Sequence, residues 1–277
     1  MQISSKTEQE VTHMIGAIIG DIVGSRFEFD NYRKKDFQLF HKDCFATDDS
    51  IMTLAIADAI MECKSNFSHL GEQAVKSMRT IGQPYPDCGY GGKFAQWMYG
   101  VIDGPYNSFG NGAAMRVSAC GWAADSIEEA KVLSKAVTEV THNHPEGLKG
   151  AEAIATSVYI LGRKRKHKKA VRDWISDNYY DLDFTIDQIR PTYKFNETCQ
   201  ETVPQAIEAF LESTDFEDAI RIAVSLGGDS DTVAAITGSL AEAYYGVPNA
   251  LRVEAETFLD ERLKAILERF EAKYGRR

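Results

Sequence analysis

Apolar residues recur with a helical period along almost the whole chain of 277 residues. The segment DSIMTLAIADAIMEC, residues 49–63, is apolar around most of its circumference, which is typical of a buried central helix. Alternating patterns typical of strands are scarce. The pattern therefore predicts an all-α fold, a single compact multi-helix globule of roughly ten or more helices. In the last predicted helix, one face carries Leu259, Leu263, Ile266, Leu267 and Phe270, with charges opposite.

Capping signals and loop signals divide this helical pattern. Ser126 with Glu129, and Thr214 with Glu217, have the spacing of capping boxes, so we expect helices to begin at both places. No internal repeat or linker interrupts the sequence, and we expect residues 1–277 to form a single domain. The predicted loops lie at roughly 29–46, 83–92, 103–112 and 178–199.

The charge balance and the cysteines narrow the classes of function. A net charge of −10 argues against a protein that binds nucleic acid or an anionic membrane over its whole surface. The basic run at residues 163–169, RKRKHKK, is either a local nucleic-acid contact or a solvated helix junction, and we favour the junction. Five scattered cysteines without a CxxC pair argue against disulfides and structural zinc and indicate a reducing cytoplasm. The chain start lacks an apolar signal core, and no apolar run is long enough to span a bilayer.

Two short segments place several oxygen-bearing side chains at the start of an apolar helix. The segment TDDS, residues 47–50, opens one such helix, and GDSDT, residues 228–232, opens another. A single cluster of this kind is explained by capping and by the helix dipole, because Ser, Thr and Asp are favoured caps. Two clusters are harder to explain in this way, because one cap uses one side chain and adjacent carboxylates repel each other. A buried helix also buries its start, where an unpaired charge is costly.

A divalent cation is the simplest partner for these carboxylates. No Lys or Arg adjoins either cluster. Mg²⁺ and Mn²⁺ prefer oxygen ligands such as carboxylates and hydroxyls. Four aspartates can hold two such ions, which can orient and activate a water or a substrate hydroxyl. The surplus side-chain oxygens of the two segments are therefore predicted to be metal ligands.

The first predicted helix adds glycines and a third acidic element. Gly16, Gly20 and Gly24 lie four residues apart on one helix face and predict tight packing against another backbone. Glu28 follows the end of this helix.

Two glycine loops and a histidine pair are weaker signals. The segment SFGNG, residues 108–112, could offer unpaired N–H groups to a phosphate or diphosphate, although an ordinary Asn-Gly turn also explains it. A similar flexible loop, CGYGG, begins at Cys88. His142 and His144 have H-x-H spacing, but no third nitrogen or thiolate ligand is evident nearby, so zinc is disfavoured.

Together these motifs resemble those of the ADP-ribosylglycohydrolase family, which includes the dinitrogenase-reductase-activating glycohydrolases. They lie in order across nearly the whole chain: GAIIGDIVGSRFE, TDDS, GYGG, SFGNGAAMR, TH followed by EG, and SLGGDSDT. The first and last motifs with TDDS form a highly specific combination. The resemblance implies an all-α fold with a dinuclear Mg²⁺ or Mn²⁺ centre in a cleft. It also implies a hydrolase that cleaves the glycosidic bond between ADP-ribose and a modified target.

The resemblance assigns roles to individual residues. It implies that Thr47, Asp48 and Asp49 are metal ligands from one side of the cleft and that Asp229, Asp231 and Thr232 are ligands from the other. It also places Glu28 near the metals, in catalysis or in gating of the cleft. Glu28, Asp48 and Asp49 are thus the predicted catalytic residues. Phe109 stands where the family commonly has Tyr, so ring stacking would persist without a hydrogen bond. The substrate-binding residues implied are Gly89, Gly91, Ser108, Phe109, Gly110, Asn111 and His142.

Two other functions stay open at this stage. The fold could bind ADP-ribose or a nucleotide without turning it over, although Glu28 and both pairs of aspartates argue against such a module. It could also hydrolyse a small glycoside or ADP-ribose conjugate. The expected partner is an ADP-ribosylated protein or a small ADP-ribose conjugate, with no membrane and no general nucleic-acid role. The motifs describe the ADP-ribose half of the substrate, so they identify neither the linkage nor the oligomeric state.

Overall fold

The computed structural model describes residues 14–275, and helices account for all of the regular structure in that range apart from one isolated β-bridge between Gly110 and Thr198. The predicted all-α fold is therefore confirmed. No helix within these residues combines the length and the apolar character needed to cross a bilayer. Short 3₁₀ turns span Phe67–His69 and Asn111–Ala113, and a π-helical turn spans Tyr159–Arg163. The α-helices are α1 Ile15–Ser25, α2 Asp48–Glu62, α3 Leu70–Gly82, α4 Gly92–Met98, α5 Ser118–Ala123, α6 Ile127–Thr138, α7 Pro145–Val158, α8 Lys168–Asn178, α9 Ile186–Ile189, α10 Cys199–Glu212, α11 Phe216–Leu226, α12 Ser230–Tyr245, α13 Asn249–Glu256 and α14 Glu261–Tyr274.

Helices α1 and α12 pack backbone to backbone in the centre of the molecule. A Cβ atom at Gly20 would lie 1.9 Å from the carbonyl oxygen of Ala234, so only glycine fits there. A Cβ at Gly24 would lie 2.5 Å from the Cα of Asp231. The tight packing that the glycine spacing predicts is thus present, and it places the end of α1 against the acidic start of α12.

Helix α2 is the central apolar helix that the sequence pattern predicts. From Asp49 to Met61 its residues are buried except for the partly exposed Asp58. It packs against α1, α3, α5 and α14. Because the helix is covered on several sides, its start is also covered, and the carboxylate of Asp49 is drawn inside the molecule.

Of the two predicted helix caps, the one at Ser126 is confirmed and the one at Thr214 is one residue too early. At α6, Ser126 Oγ accepts a hydrogen bond from the Glu129 backbone N–H at 3.0 Å, as expected. At α11 the prediction that Thr214 and Glu217 form the cap is wrong by one residue. Asp215 is the cap and accepts from the backbone N–H of Asp218 at 2.8 Å. The Asp218 carboxylate in turn accepts from the Thr214 backbone N–H at 2.9 Å, so this register satisfies one more donor.

Two other expectations need adjustment. The predicted loop at 178–199 contains the one-turn helix α9, which begins with a capping box between Thr185 and Gln188. Leu259, expected on the last helix, lies before α14 and is buried there, because Asp260 caps that helix.

The basic run at 163–169 joins the π-helical turn to α8. Lys168 Nζ donates to the backbone carbonyl of Phe210 at 2.9 Å and so binds the C-terminal end of α10. Arg163 pairs with Asp125, and Lys169 pairs with Asp173. These contacts support the interpretation of the run as a helix junction.

A buried glutamate caps the first helix from a distant part of the chain. Glu242 Oε2, on α12, accepts hydrogen bonds from the backbone N–H groups of Met14 at 2.7 Å and Gly16 at 3.0 Å. Burial raises the pKa of Glu242 to about 8, because the charged form loses its hydration. The neutral form is therefore the stable one in the folded protein at neutral pH.

This raised pKa predicts a specific dependence of stability on pH. A group whose pKa is higher in the folded than in the unfolded state contributes stability at low pH that is lost as the pH rises through the folded value, here about 8. In EDTA, the free energy of unfolding in urea should fall from about pH 6 to about pH 8. Glu242→Gln should reduce this fall, and Glu242→Ala should cost about 1–3 kcal/mol at both values because two buried N–H groups lose their acceptor. An unchanged pH dependence in Glu242→Gln would refute this assignment.

Candidate metal centre and ligand cleft

The starts of α2 and α12 meet in a cleft of about 280 Å³. Thr232 Oγ1 on α12 donates a hydrogen bond to Asp49 Oδ2 on α2 at 3.1 Å. The two acidic clusters are therefore in direct contact, although they lie 183 residues apart in the sequence. The predicted site residues that line this cleft are Glu28, Asp48, Asp49, Gly89, Gly91, Ser108, Gly110, Asn111, His142, Asp229, Asp231 and Thr232.

Two predicted site residues are absent from the cleft lining. Thr47 lies behind the start of α2 and is buried. Phe109 is 43% exposed, and its ring lies 5.1 Å from the ring of His144. The structure therefore places the Phe109 ring beside the cleft rather than in its wall.

At the start of α2, one threonine serves as the cap and leaves two aspartates free for other contacts. Thr47 Oγ1 accepts from the Asp49 backbone N–H at 3.2 Å and donates to Asp21 Oδ1 at 2.6 Å. A hydroxyl has one hydrogen and two lone pairs, so one lone pair of Thr47 is left after these two bonds. The carboxylates of Asp48 and Asp49 take no part in capping.

Asp21 on α1 is a site residue that the sequence analysis missed. It is fully buried and accepts four hydrogen bonds, from the backbone N–H and the side-chain hydroxyl of both Thr47 and Ser50. These bonds fix the start of α2 relative to α1. The signal was present in the sequence, because Asp21 is the one charged residue within the apolar stretch MIGAIIGDIVG, and a buried charge needs partners.

At the start of α12, the aspartate in the cap position is turned away from the helix. Asp229 makes no side-chain capping bond and instead accepts from the Asn111 side-chain amide at 2.6 Å. The same side-chain amide also donates to the Thr202 hydroxyl at 3.2 Å. Gly227 and Gly228 both have positive φ, at 71° and 73°, and this turn directs Asp229 towards the cleft.

Two groups of carboxylates are close enough to share a cation. Oxygens of Asp21, Asp49 and Asp231 lie within 4.8 Å of one another, and so do oxygens of Glu28, Asp229 and Asp231. Asp231 belongs to both groups. Asp48 belongs to neither, since its Oδ1 points towards Gly89, where a Cβ would lie 3.2 Å away.

These carboxylates fit a cation because nothing else in the described chain neutralises them. Among residues 14–275, no Lys, Arg or His forms an ion pair with Asp21, Asp48, Asp49, Asp229 or Asp231. The Oδ1 atom of Asp49 is buried without any hydrogen-bond partner. Hard divalent cations prefer such oxygens, and an unpartnered buried carboxylate oxygen is otherwise unfavourable.

Burial raises the pKa of every carboxyl group at this centre, and repulsion by neighbouring carboxylates adds to it at Glu28, Asp48, Asp49 and Asp231. Burial, followed by the charges of Asp21 and Asp229, raises the pKa of Asp48 to about 8. Burial, followed by the charge of Asp229, raises the pKa of Glu28 to about 7. The pKa values of Asp49 and Asp231 are raised well above the usual range by burial first and by neighbouring carboxylates second. Without a cation, the centre therefore retains protons at pH values where exposed aspartates are ionised.

The loop at 108–112 is tied to the segment that precedes α10. The Gly110 N–H donates to Ser108 Oγ at 3.2 Å, and the Asn111 N–H donates to the backbone carbonyl of Glu197 at 2.7 Å. Two of the five N–H groups of this loop are thus already paired within the protein. The cleft wall also includes Lys93, Arg116 and Glu197, which the sequence analysis did not single out as site residues.

The two histidines of the H-x-H pair have different surroundings. His144 caps α7, and its Nδ1 accepts from the Glu146 backbone N–H at 3.1 Å. His142 is buried and lines the cleft. Burial, followed by the charge of Arg116, lowers the pKa of His142 well below its usual value, so its imidazole is neutral at physiological pH.

Comparison with known proteins gives a consistent family. The family model for ADP-ribosylglycohydrolase matches residues 7–276. The chain is 23% identical to "ADP-ribosylhydrolase ARH3" of Xenopus tropicalis, over 89% of this chain and 91% of that protein. It is 27% identical to "ADP-ribosylarginine hydrolase Tri1" of Pseudomonas putida, over 84% of this chain and 70% of that protein. A solved structure described as "ADP-ribosylglycohydrolase-related protein complex" shares the fold, with a TM-score of 0.65 and 23% identity over 93% of this chain and 95% of that one. The chain therefore belongs to the ADP-ribosylglycohydrolase family.

Proposed function

We propose that this protein is a metal-dependent hydrolase that releases ADP-ribose from a modified target. The bond cleaved would be the glycosidic bond at the anomeric carbon of the distal ribose. The observation that carries this proposal is the direct contact of the two acidic helix starts within a cleft, in a chain of this family. The target would be an ADP-ribosylated protein or a small ADP-ribose conjugate, and the unpaired cysteines fit a reducing cytoplasm.

The cofactors proposed are two Mg²⁺ or Mn²⁺ ions held at the two carboxylate groups that share Asp231. When bound, such ions supply Lewis-acid polarisation and lower the pKa of a bound water. Thr47 can contribute its remaining lone pair, because its hydrogen is directed to Asp21. The predicted ligands that belong to these two groups are Asp49, Asp229 and Asp231, and Asp21 and Glu28 complete the groups. Thr47, Asp48 and Thr232 lie outside both groups and stay predicted ligands.

Glu28 is suited to move a proton at the cleft. It is only partly buried and lines the cleft wall, so a water can reach it. Without a cation its pKa is raised to about 7, and bound ions would favour the ionised carboxylate, which can accept a proton near neutral pH. Its carboxylate would accept the proton of the water that attacks the anomeric carbon, the bond to the target oxygen or nitrogen would break, and that leaving atom would take up the proton.

The proposed role of Glu28 predicts a loss of turnover without a loss of folding. Glu28→Gln should lower kcat for ADP-ribose release by about 10²–10⁴-fold, because general base catalysis typically contributes that much. The assay would offer arginine-, serine- and polymer-linked ADP-ribose, each with Mg²⁺, Mn²⁺ or EDTA. Asp30→Asn, at an exposed position two residues away, is the matched control and should retain activity. Wild-type protein that binds ADP-ribose but releases none from any substrate would instead be a binding module.

Cation binding should stabilise the protein more strongly at higher pH. Without a cation the raised pKa values keep protons on the carboxyl groups, and a cation must displace them. We expect Mg²⁺ or Mn²⁺ to raise Tm by several degrees at about pH 8 and by much less at about pH 5. Asp231→Asn should abolish this increase, because Asp231 belongs to both carboxylate groups. An equal increase at both pH values would contradict the proposed site.

Asp21 should affect cation affinity through the residues it orients. In Asp21→Asn, an amide N–H₂ faces donors from Thr47 and Ser50, so the start of α2 loses acceptors. We expect the affinity for Mn²⁺, measured by isothermal titration calorimetry, to fall about 10–100-fold, as for other residues that orient metal ligands. Asp58→Asn is the control and should bind Mn²⁺ normally, because Asp58 lies further along α2 and its carboxylate is bonded to Ser77. Equal affinity in the two variants would show that Asp21 has no such role.

A further inference from the structure

Arg116 is a buried cation whose position capping and packing do not explain. Its side chain is completely buried, and within residues 14–275 it forms no ion pair with a carboxylate. Its Nε atom has no hydrogen-bond partner. The guanidinium lies 5.5 Å from the ring centroid of Phe94, in the wall of the cleft. Burying an unpaired charge is costly. The position of the Arg116 guanidinium in the cleft wall therefore indicates that it has a functional role.

The polar contact of Arg116 leads to the histidine of the cleft. Arg116 Nη2 donates to Thr141 Oγ1 at 2.7 Å and lies 3.5 Å from His142 Nδ1. Thr141 Oγ1 lies 2.8 Å from His142 Nδ1. The chain of contacts thus runs from Arg116 through the Thr141 hydroxyl to one nitrogen of His142.

The donor and acceptor roles in this chain follow from chemistry. A guanidinium can only donate, so Thr141 Oγ1 accepts from it. The Thr141 hydroxyl hydrogen then has His142 Nδ1 at 2.8 Å as its nearest acceptor, whereas the Thr138 carbonyl lies 3.5 Å away. A proton on Nδ1 would also point towards the positive guanidinium. His142 Nδ1 is therefore the acceptor, and in a neutral imidazole the proton is then on Nε2.

The protonated nitrogen lies on the side of the ligand loop. A Cβ built at Gly112 would lie 3.4 Å from His142 Nε2, and one built at Gly110 would lie 3.5 Å from it. His142 Nδ1 is occupied by Thr141, so Nε2 is the nitrogen that remains for a ligand in the cleft.

We propose that Arg116 is a positioning residue that, through Thr141, fixes the tautomer and orientation of His142 so that Nε2–H donates a hydrogen bond to an oxygen of the bound ADP-ribose. This inference rests on the proposed function, because it takes ADP-ribose as the ligand. It adds a role for two residues that do not themselves act on the reacting bond. The ligand oxygen is an anionic or hydroxyl oxygen, since these accept an N–H donor.

The experiment measures the tautomer and ADP-ribose affinity in the same variants. Two-bond ¹H–¹⁵N correlation spectra of protein with ¹⁵N-labelled histidine report which nitrogen carries the proton, and His142→Gln assigns the signals. Calorimetry gives the affinity for ADP-ribose. The test variants are Arg116→Met, which removes the buried charge, and Thr141→Val, which keeps the volume but removes the hydroxyl. Thr141→Ser restores the hydroxyl, and Thr138→Val removes a nearby buried hydroxyl that has no partner, so it is the matched control.

We expect wild-type protein, Thr141→Ser and Thr138→Val to show a single Nε2–H tautomer and equal affinity. Arg116→Met should show a mixture of tautomers, and both Arg116→Met and Thr141→Val should bind ADP-ribose about 10-fold or more weakly. A wild-type His142 protonated on Nδ1, or wild-type affinity in both test variants, would overturn the proposal. Release of ADP-ribose by wild-type protein is measured in parallel. Its absence, together with the tautomer change, would reject the proposed hydrolysis and retain the role of Arg116.

Discussion

Repulsion among buried carboxylates is the interaction on which the arrangement of this cleft depends. Helices α2 and α12 begin against each other, and Thr232 joins them by donating to Asp49. This contact buries Asp49 and Asp231 side by side, without an ion pair to any basic residue of the described chain. Folding therefore brings together groups that must either hold protons or share a cation, and stability is linked to both pH and cation concentration. Burial and the neighbouring carboxylates also raise the pKa of Glu28 to about 7 when no cation is bound.

The close approach of α1 to α12 is what allows the acidic helix starts to meet without steric clashes. Gly20 and Gly24 allow the two backbones to touch, and Gly24 does so at Asp231 itself. The contact brings Asp21 from α1 beneath the start of α2, where four hydrogen bonds hold Thr47 and Ser50 in place. The glycine spacing is thus a requirement of the site as much as of the core. A larger residue at Gly24 would displace the backbone of the very residue that both carboxylate groups share.

Much of the fold and part of the site could be predicted from the sequence, because they depend on patterns within single segments of the chain. The apolar composition of α2 predicts a buried helix, and the glycine spacing of α1 predicts tight packing against another backbone. Both patterns depend on residues close together in the chain, and both predictions are confirmed. The meeting of TDDS and GDSDT depends on packing between helices 183 residues apart, so sequence patterns could suggest it only through a shared ligand chemistry. The cap of α11 was misplaced because Thr214 and Asp215 are both good caps, and the contacts of Asp218 decide between them.

The residues that the sequence analysis missed are those whose partners are distant. Asp21 was visible as an isolated charge in an apolar helix, but its four donors lie in another segment. Arg116 lies in a quoted motif, yet its role depends on Thr141 and His142, which the fold alone brings near. The Phe109 ring lies beside His144 rather than in the cleft lining, and its stacking on the ligand stays a prediction.

The central claim is that the buried carboxylates form a cation site with two ions. The most direct measurement is anomalous X-ray diffraction from crystals of the protein grown with Mn²⁺, which locates each ion among its ligands. We expect two anomalous peaks roughly 3.5–4 Å apart, both contacting Asp231, one near Asp49 and the other near Asp229 and Glu28. No peak at these residues in the presence of saturating Mn²⁺, or ions bound only elsewhere on the surface, would contradict it.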